Sequence, residues 1–125
     1  MQTPSILLVD DDLDLLQFIA TMLARYGYNV LPADNPESAL SIHNQRKGEI
    51  RLLLTDVIMP GMNGPDLAQA ILRRDPDIKI LFMSGYKVDR LARFGDILSS
   101  YEVLGKPFSP AELLQAVNSM VGGNR

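Results

Sequence analysis

Apolar runs that do not alternate with polar residues, "ILLV" (6–9), "LLL" (52–54) and "ILFM" (80–83), constrain this chain more than any other feature. A strand whose consecutive side chains are all apolar must bury both of its faces, as strands of a covered parallel sheet do. Each run sits in a short segment that reads as a strand: "SILLVD" (5–10), "IRLLLTDV" (50–57) and "IKILFMS" (78–84). "YNVLPA" (28–33) and "YEVLGK" (101–106) complete a set of five.

Helical patterns separate them. Leu16, Ile19, Leu23 and Tyr26 recur at helical spacing until Gly27 supplies a stop, and Asp12 stands where an N-cap is needed. "PESALSIHNQ" (36–45) opens on a first-turn proline, and "PDLAQAILRR" (65–74) ends before Asp75 and Pro76. "SPAELLQAVNSMV" (109–121) carries a capping box, with Ser109 at N-cap, Pro110 at N1 and Glu112 at N3. The segment from Tyr86 to Ser100 is ambiguous, with only Leu91 and Phe94 hinting at a short helix. Strands interleaved with helices imply right-handed crossovers, so the expected architecture is a single open α/β domain, a five-stranded parallel sheet with helices on both faces. A chain of 125 residues supports one such core, spanning about 4–121, with a C-terminal "GGNR" tail that frays.

Several function classes drop out. The absence of cysteine removes disulfides, thiolate metal sites and a cysteine nucleophile. No apolar stretch approaches the ~20 residues of a membrane span, and the N-terminus lacks signal-peptide features, so no membrane insertion and a cytoplasmic location are expected. A net charge of −3 argues against direct binding of a nucleic-acid backbone.

In open parallel sheets, ligands sit beyond the carboxyl ends of the strands. There the first strand delivers Asp10, Asp11 and Asp12, the third Asp56, the fourth Ser84 and Gly85, and the fifth Lys106 and Pro107. Singly, each has an ordinary reading: a helix-capping aspartate, a turn aspartate, a turn serine, a solvated lysine. Their coincidence at one edge changes the weighing. Several carboxylates brought together repel by several kcal/mol per pair at ~4 Å, and something cationic must offset that. Oxygen ligands without histidine or cysteine suit a hard divalent ion such as Mg²⁺. A metal, an ammonium and a hydroxyl around a carboxylate make a phosphoryl-transfer site in which Asp56 attacks.

Asp10 and Asp11 after an apolar strand, "LLLTDVIMPGMNG" around Asp56, "MSG" at Ser84 and "GKPF" at Lys106 resemble, in order and spacing, the receiver domain of two-component response regulators. "MSGY" and "GKPFSPAELL" are similar to the receivers of hybrid sensor histidine kinases. The resemblance implies a flavodoxin-like (βα)5 fold with strand order 2-1-3-4-5. It implies that Asp56 takes a phosphoryl group from a phosphohistidine on a kinase or phosphotransfer domain. Asp11, Asp56 and the backbone carbonyl of Ile58 would bind Mg²⁺ or Mn²⁺, and Asp10 would hold a metal-bound water. Lys106 would contact the phosphoryl group and Ser84 would report its arrival, with a downstream protein on the face of the fourth helix, fifth strand and fifth helix. Gly85 fits the family's small residue there.

One departure stands out. The family commonly carries an aromatic residue three positions before the lysine, and here that position is Val103. Tyr101 lies on the same side of the strand and reads as an edge residue; Phe82 and Tyr86 read as core and loop. His43, the single histidine, reads as an exposed helix residue, not a phosphodonor. Met59, Met62 and Met83 read as packing residues. Two other functions compete. A metal-dependent phosphatase would use a strand-one aspartate, because "DDDLD" resembles the opening motif of haloacid-dehalogenase-type enzymes, although the chain lacks their cap and later acidic pair. A phosphorylation-independent pseudo-receiver would have lost the acceptor or the lysine, and both are present.

Overall fold

A computed structural model describes residues 5–85 and 94–121. Its five strands are β1 (Ser5–Val9), β2 (Asn29–Ala33), β3 (Ile50–Asp56), β4 (Lys79–Ser84) and β5 (Glu102–Gly105). The helices are α1 (Leu13–Arg25), α2 (Pro36–Gln45), α3 (Gly64–Arg74), α4 (Gly95–Leu98) and α5 (Pro110–Val121). All four pairings are parallel, and the sheet order is β2-β1-β3-β4-β5, as expected.

Two cores explain why the strands do not alternate. Leu7, Val9, Leu53, Ile80 and Phe82 point to one side and meet Ala39 of α2 with Leu67, Ala68 and Ile71 of α3. Their neighbours in the chain, Ile6, Leu8, Leu52, Leu54, Leu81 and Met83, point to the other side against Leu16, Ile19 and Leu23 of α1 and Leu113, Ala116 and Val117 of α5. Successive residues alternate between the two cores, so both parities must be apolar. Each fully buried Leu or Ile contributes about 1.5–3 kcal/mol relative to exposure.

Local chemistry starts each long helix. Asp12 accepts a hydrogen bond from Leu15 N–H (3.2 Å), Asn35 from Ser38 N–H (2.8 Å) and Asn63 from Asp66 N–H (2.8 Å). Glu112 N–H donates to Ser109 Oγ at 3.1 Å while Ser109 N–H donates to Glu112 Oε1 at 2.8 Å, which is the expected capping box. Such caps contribute about 1 kcal/mol each. Because the sheet is parallel, all these helix starts lie at the edge where the strands end.

Two expectations need correction. His43 is not an exposed helix residue; it is fully buried, and its Nε2 lies 3.2 Å from Asp75 Oδ2 at the end of α3. It follows Pro36 and Ala39 at i+7 and i+4, on the face of α2 that packs inward. Tyr101 is more than an edge residue: it is half-buried just before β5 and meets Phe82 edge to face, with ring centroids 5.9 Å apart and planes at 83°. Phe82 is in the core, as expected, and Met59 and Met83 are buried packing residues. Tyr86, Leu91, the rest of 86–93 and the 122–125 tail lie outside the described residues, and of the ambiguous segment the described part contains the single turn of α4.

Candidate functional site

The strand ends are stitched together by backbone hydrogen bonds that continue past the regular ladder. Asp10 N–H donates to Ala33 O (3.2 Å), Val57 N–H to Met83 O (2.9 Å) and Lys106 N–H to Ser84 O (2.8 Å). These bonds fix where each strand's last polar residue emerges. Asp10, Asp11 and Asp56 each bring a carboxylate oxygen within 4.8 Å of the others. Lys106 Nζ, arriving from the far edge strand, lies 3.0 Å from Asp10 Oδ2 and 3.2 Å from Asp56 Oδ1.

The four aspartates differ in what they have left to offer. Asp10 is fully buried, and both of its oxygens are engaged: Oδ1 accepts Asp12 N–H at 2.9 Å and Oδ2 accepts Lys106 Nζ. Asp12 is the α1 cap. Asp11 is exposed. Asp56 is the intermediate case, with its side chain 14% accessible and pointing at the lysine. A strand-one nucleophile of the phosphatase kind would require Asp10 or Asp12 to give up these roles.

Electrostatics separate Asp56 further. Burial pushes its carboxyl up from 3.8 to about 6; the charge of Lys106 works the other way, and the neighbouring carboxylates of Asp10 and Asp11 add to the rise. For Lys106, burial works against the ammonium, but the hydrogen bond to Asp10 and the charges of Asp56 and Asp10 outweigh it and hold the group above 10.5. Both partners of one ion pair shift upward because the lysine has two carboxylates while Asp56 must share one cation. The pocket is short of positive charge. An oxygen-only donor set with that deficit, open to solvent through Asp11, fits a hard divalent cation.

Ser84 is buried at the end of β4, beside Gly105 in the register and one residue past Met83, the register partner of Asp56. Gly85 follows it at the surface. Ile58 lies two residues past Asp56 in the loop leading to α3, with its side chain packed against the core. Below them, Thr55 Oγ1 donates to Asp56 O at 3.0 Å and to Met59 Sδ at 3.9 Å.

One site-shaping residue escaped the sequence reading, which took Gly64 only as part of a turn. A Cβ at Gly64 would collide with the Asp56 carbonyl oxygen and lie 3.0 Å from Val57 Cα. The Gly64 N–H donates to Val57 O at 2.7 Å. The loop therefore folds back on the strand carrying Asp56, and only glycine permits the approach. A second glycine, Gly61, makes the reversal at φ +80°.

Comparison with known proteins agrees with this fold. Residues 6–118 match the family model described as the response regulator receiver domain. The response regulator receiver protein CpdR of Brucella abortus is 36% identical over 116 residues, covering 93% of this chain and 95% of that protein. The sensor kinase CckA of the same organism is 35% identical over 94% of this chain, a stretch that makes up 12% of the kinase. Among solved structures, the response regulator TrrA of Thermotoga maritima, in complex with Mg²⁺ and beryllofluoride, superposes with a TM-score of 0.79 at 29% identity, covering 95% of this chain and 100% of that one.

Proposed function

This chain belongs to the response regulator receiver family of two-component signalling, and we propose that its phosphoacceptor is Asp56, served by Lys106, Ser84 and a divalent cation. The family role is that of a signalling phosphoacceptor, supplied by histidine kinases and read by downstream partners. The observation that carries the residue assignment is the division of labour among the aspartates: Asp10 is sealed, Asp12 caps a helix, and Asp56 alone combines partial access with a lysine 3.2 Å away.

In the proposed reaction, an Asp56 carboxylate oxygen attacks the phosphorus of a phosphohistidine. A new P–O bond forms, the P–N bond breaks, and the imidazole leaves with the electron pair and takes up a proton. Asp11, Asp56 and the Ile58 carbonyl would hold Mg²⁺, with Mn²⁺ as a substitute, and Asp10 would act through a bound water. When present, the ion neutralises charge on the phosphoryl oxygens. Lys106 supplies a fixed positive charge on the other side, and Ser84 offers a hydroxyl to the arriving group. The face of α4, β5 and α5 is the proposed site for a downstream protein. No described helix is long and apolar enough to cross a membrane, and the cytoplasm is the proposed location.

The test is incubation with acetyl phosphate and Mg²⁺ followed by mass mapping of the labelled peptide. Label on Asp56 is expected; label on Asp10 or Asp12 would overturn the assignment in favour of strand-one chemistry.

A further inference from the structure

One polar side chain next to the acceptor points into the core. Thr55 immediately precedes Asp56 and is fully buried. Its register partners are Val9 on β1 and Phe82 on β4, and both belong to the core layer that also contains Leu53, Val57 and Met59. Valine would fill such a place without a hydroxyl to satisfy, and a buried hydroxyl is costly unless it is hydrogen-bonded. The Thr55 hydroxyl has one proton and two acceptors within reach, the Asp56 carbonyl oxygen at 3.0 Å and Met59 Sδ at 3.9 Å.

Both acceptors belong to the frame of the site. The peptide between Asp56 and Val57 is held at its other end by Val57 N–H, which donates to Met83 O at 2.9 Å. With Thr55 on the carbonyl, that peptide is fixed on both sides, and its orientation sets the direction in which the Asp56 side chain leaves the strand. Met59 is buried and directly follows Ile58, whose backbone carbonyl is the proposed partner of Asp11 and Asp56 in holding the ion. One hydroxyl therefore reaches the residue that carries the carboxylate and the neighbour of the residue that carries the carbonyl.

We propose that Thr55 is a positioning residue for phosphoryl transfer: its buried hydroxyl fixes the Asp56 carbonyl and, through Met59, the loop at Ile58, so that the carboxylate and the ion-binding carbonyl keep one common geometry. The inference rests on the reading of Asp56 as acceptor beside a divalent cation, and it assigns a role to a side chain that faces away from the pocket. A displacement of ~1 Å in a reacting group costs up to ~100-fold in rate, and loss of a residue that orients a metal ligand costs ~10- to 100-fold in affinity or activity.

The test uses the full chain and compares the parent with Thr55→Val, which keeps the shape and removes the hydroxyl, and Thr55→Ser, which keeps the hydroxyl. Labelling of Asp56 by acetyl phosphate at saturating Mg²⁺ is followed by mass mapping. Mn²⁺ binding is followed by loss of the free-ion electron paramagnetic resonance signal, without a phosphodonor, and urea unfolding gives the fraction folded. Thr55→Val should label about tenfold more slowly per folded molecule and bind Mn²⁺ about threefold more weakly or worse, while Thr55→Ser stays within about threefold of the parent in both. A merely structural threonine would lower the urea midpoint of Thr55→Val and leave labelling and Mn²⁺ binding per folded molecule unchanged. An unchanged value of either overturns the proposal, and so does a serine variant as impaired as the valine one. Met59→Leu should weaken Mn²⁺ binding in the parent and add nothing in Thr55→Val; full additivity overturns the link through the sulfur. A measurement on the parent alone covers failure of Thr55→Val to fold: the Thr55 hydroxyl proton should exchange slowly with water and show a nuclear Overhauser contact to the Met59 methyl group, and fast exchange overturns the proposal. Label on Asp10 or Asp12 of the parent would bring down the acceptor reading and this inference with it, whereas Asp56 labelled at the parental rate in Thr55→Val brings down this inference alone.

Discussion

Replacing the proposed acceptor with its neutral isostere, Asp56→Asn, should make the metal-free protein more stable at neutral pH. In the fold the Asp56 carboxyl is raised from 3.8 to about 6, first by burial and then by Asp10 and Asp11, against the pull of Lys106. A carboxyl held above its unfolded value binds its proton more tightly in the fold. The stability this confers is fully present below about 3.8 and is lost as pH rises through about 6. At pH 7.5 the wild type must fold around an ionised Asp56, whereas the asparagine variant does not. Two pKa units at ~1.4 kcal/mol each give about 3 kcal/mol. The pocket opens to solvent, and screening reduces that to about 1–2 kcal/mol. Urea unfolding of both proteins in chelator, across pH 3.5 to 8, measures it. The two curves should converge at the acid end and separate through pH 4–6, with the variant more stable. Saturating Mg²⁺ should narrow the gap, because the wild type gains binding energy that the variant loses. A variant less stable than wild type at pH 7.5 would refute the reasoning, since the Lys106 attraction would then outweigh burial and the neighbouring carboxylates.

Gly64→Ala should cost about 1–3 kcal/mol, because its methyl group must push the Asp56 carbonyl aside, and should slow acetyl phosphate labelling; urea midpoints and mass mapping report the two effects. Asp75→Ala strands the buried His43 ring, whose Nδ1 already has no partner among the described residues, and should cost about 1–3 kcal/mol in urea unfolding. With Val103 where the family's aromatic usually stands, beryllofluoride and Mg²⁺ should shift amide signals around Ser84 strongly and those of Glu102–Gly105 little. Large shifts across 101–121 that vanish in Tyr101→Ala would mean instead that Tyr101, through its edge contact with Phe82, carries the aromatic role.

The strands, the long helices and the meeting of Asp10, Asp11, Asp56 and Lys106 at one edge were legible because each rests on a short-range rule. Doubly apolar runs announce strands covered on both faces, the Ser109 and Glu112 pair announces a helix start, and parallel topology forces the strand-end polar residues to one edge. What was not legible depends on contacts between segments far apart in sequence. His43 was misread because α2 is weakly amphipathic and its polar partner, Asp75, comes 32 residues later. The spacing of Pro36, Ala39 and His43 was the available signal. Tyr101 looked like an edge residue because nothing local reveals that Phe82 lies beneath it. The need for glycine at position 64 is invisible until the backbone of Asp56 arrives beside it. Asp12 was legible as the α1 cap, but that Asp10 is fully buried with both oxygens engaged while Asp11 is exposed required coordinates.

The contact between Lys106 and Asp10 joins residues 96 positions apart, across the middle of the sheet. A partly folded chain already contains Asp56 and its acidic neighbours, yet it lacks the ammonium that faces them until the final strand docks. The charge balance of the pocket therefore depends on the edge strand: a copy in which β5 has not docked holds Asp10 and Asp56 without the ammonium that faces them both.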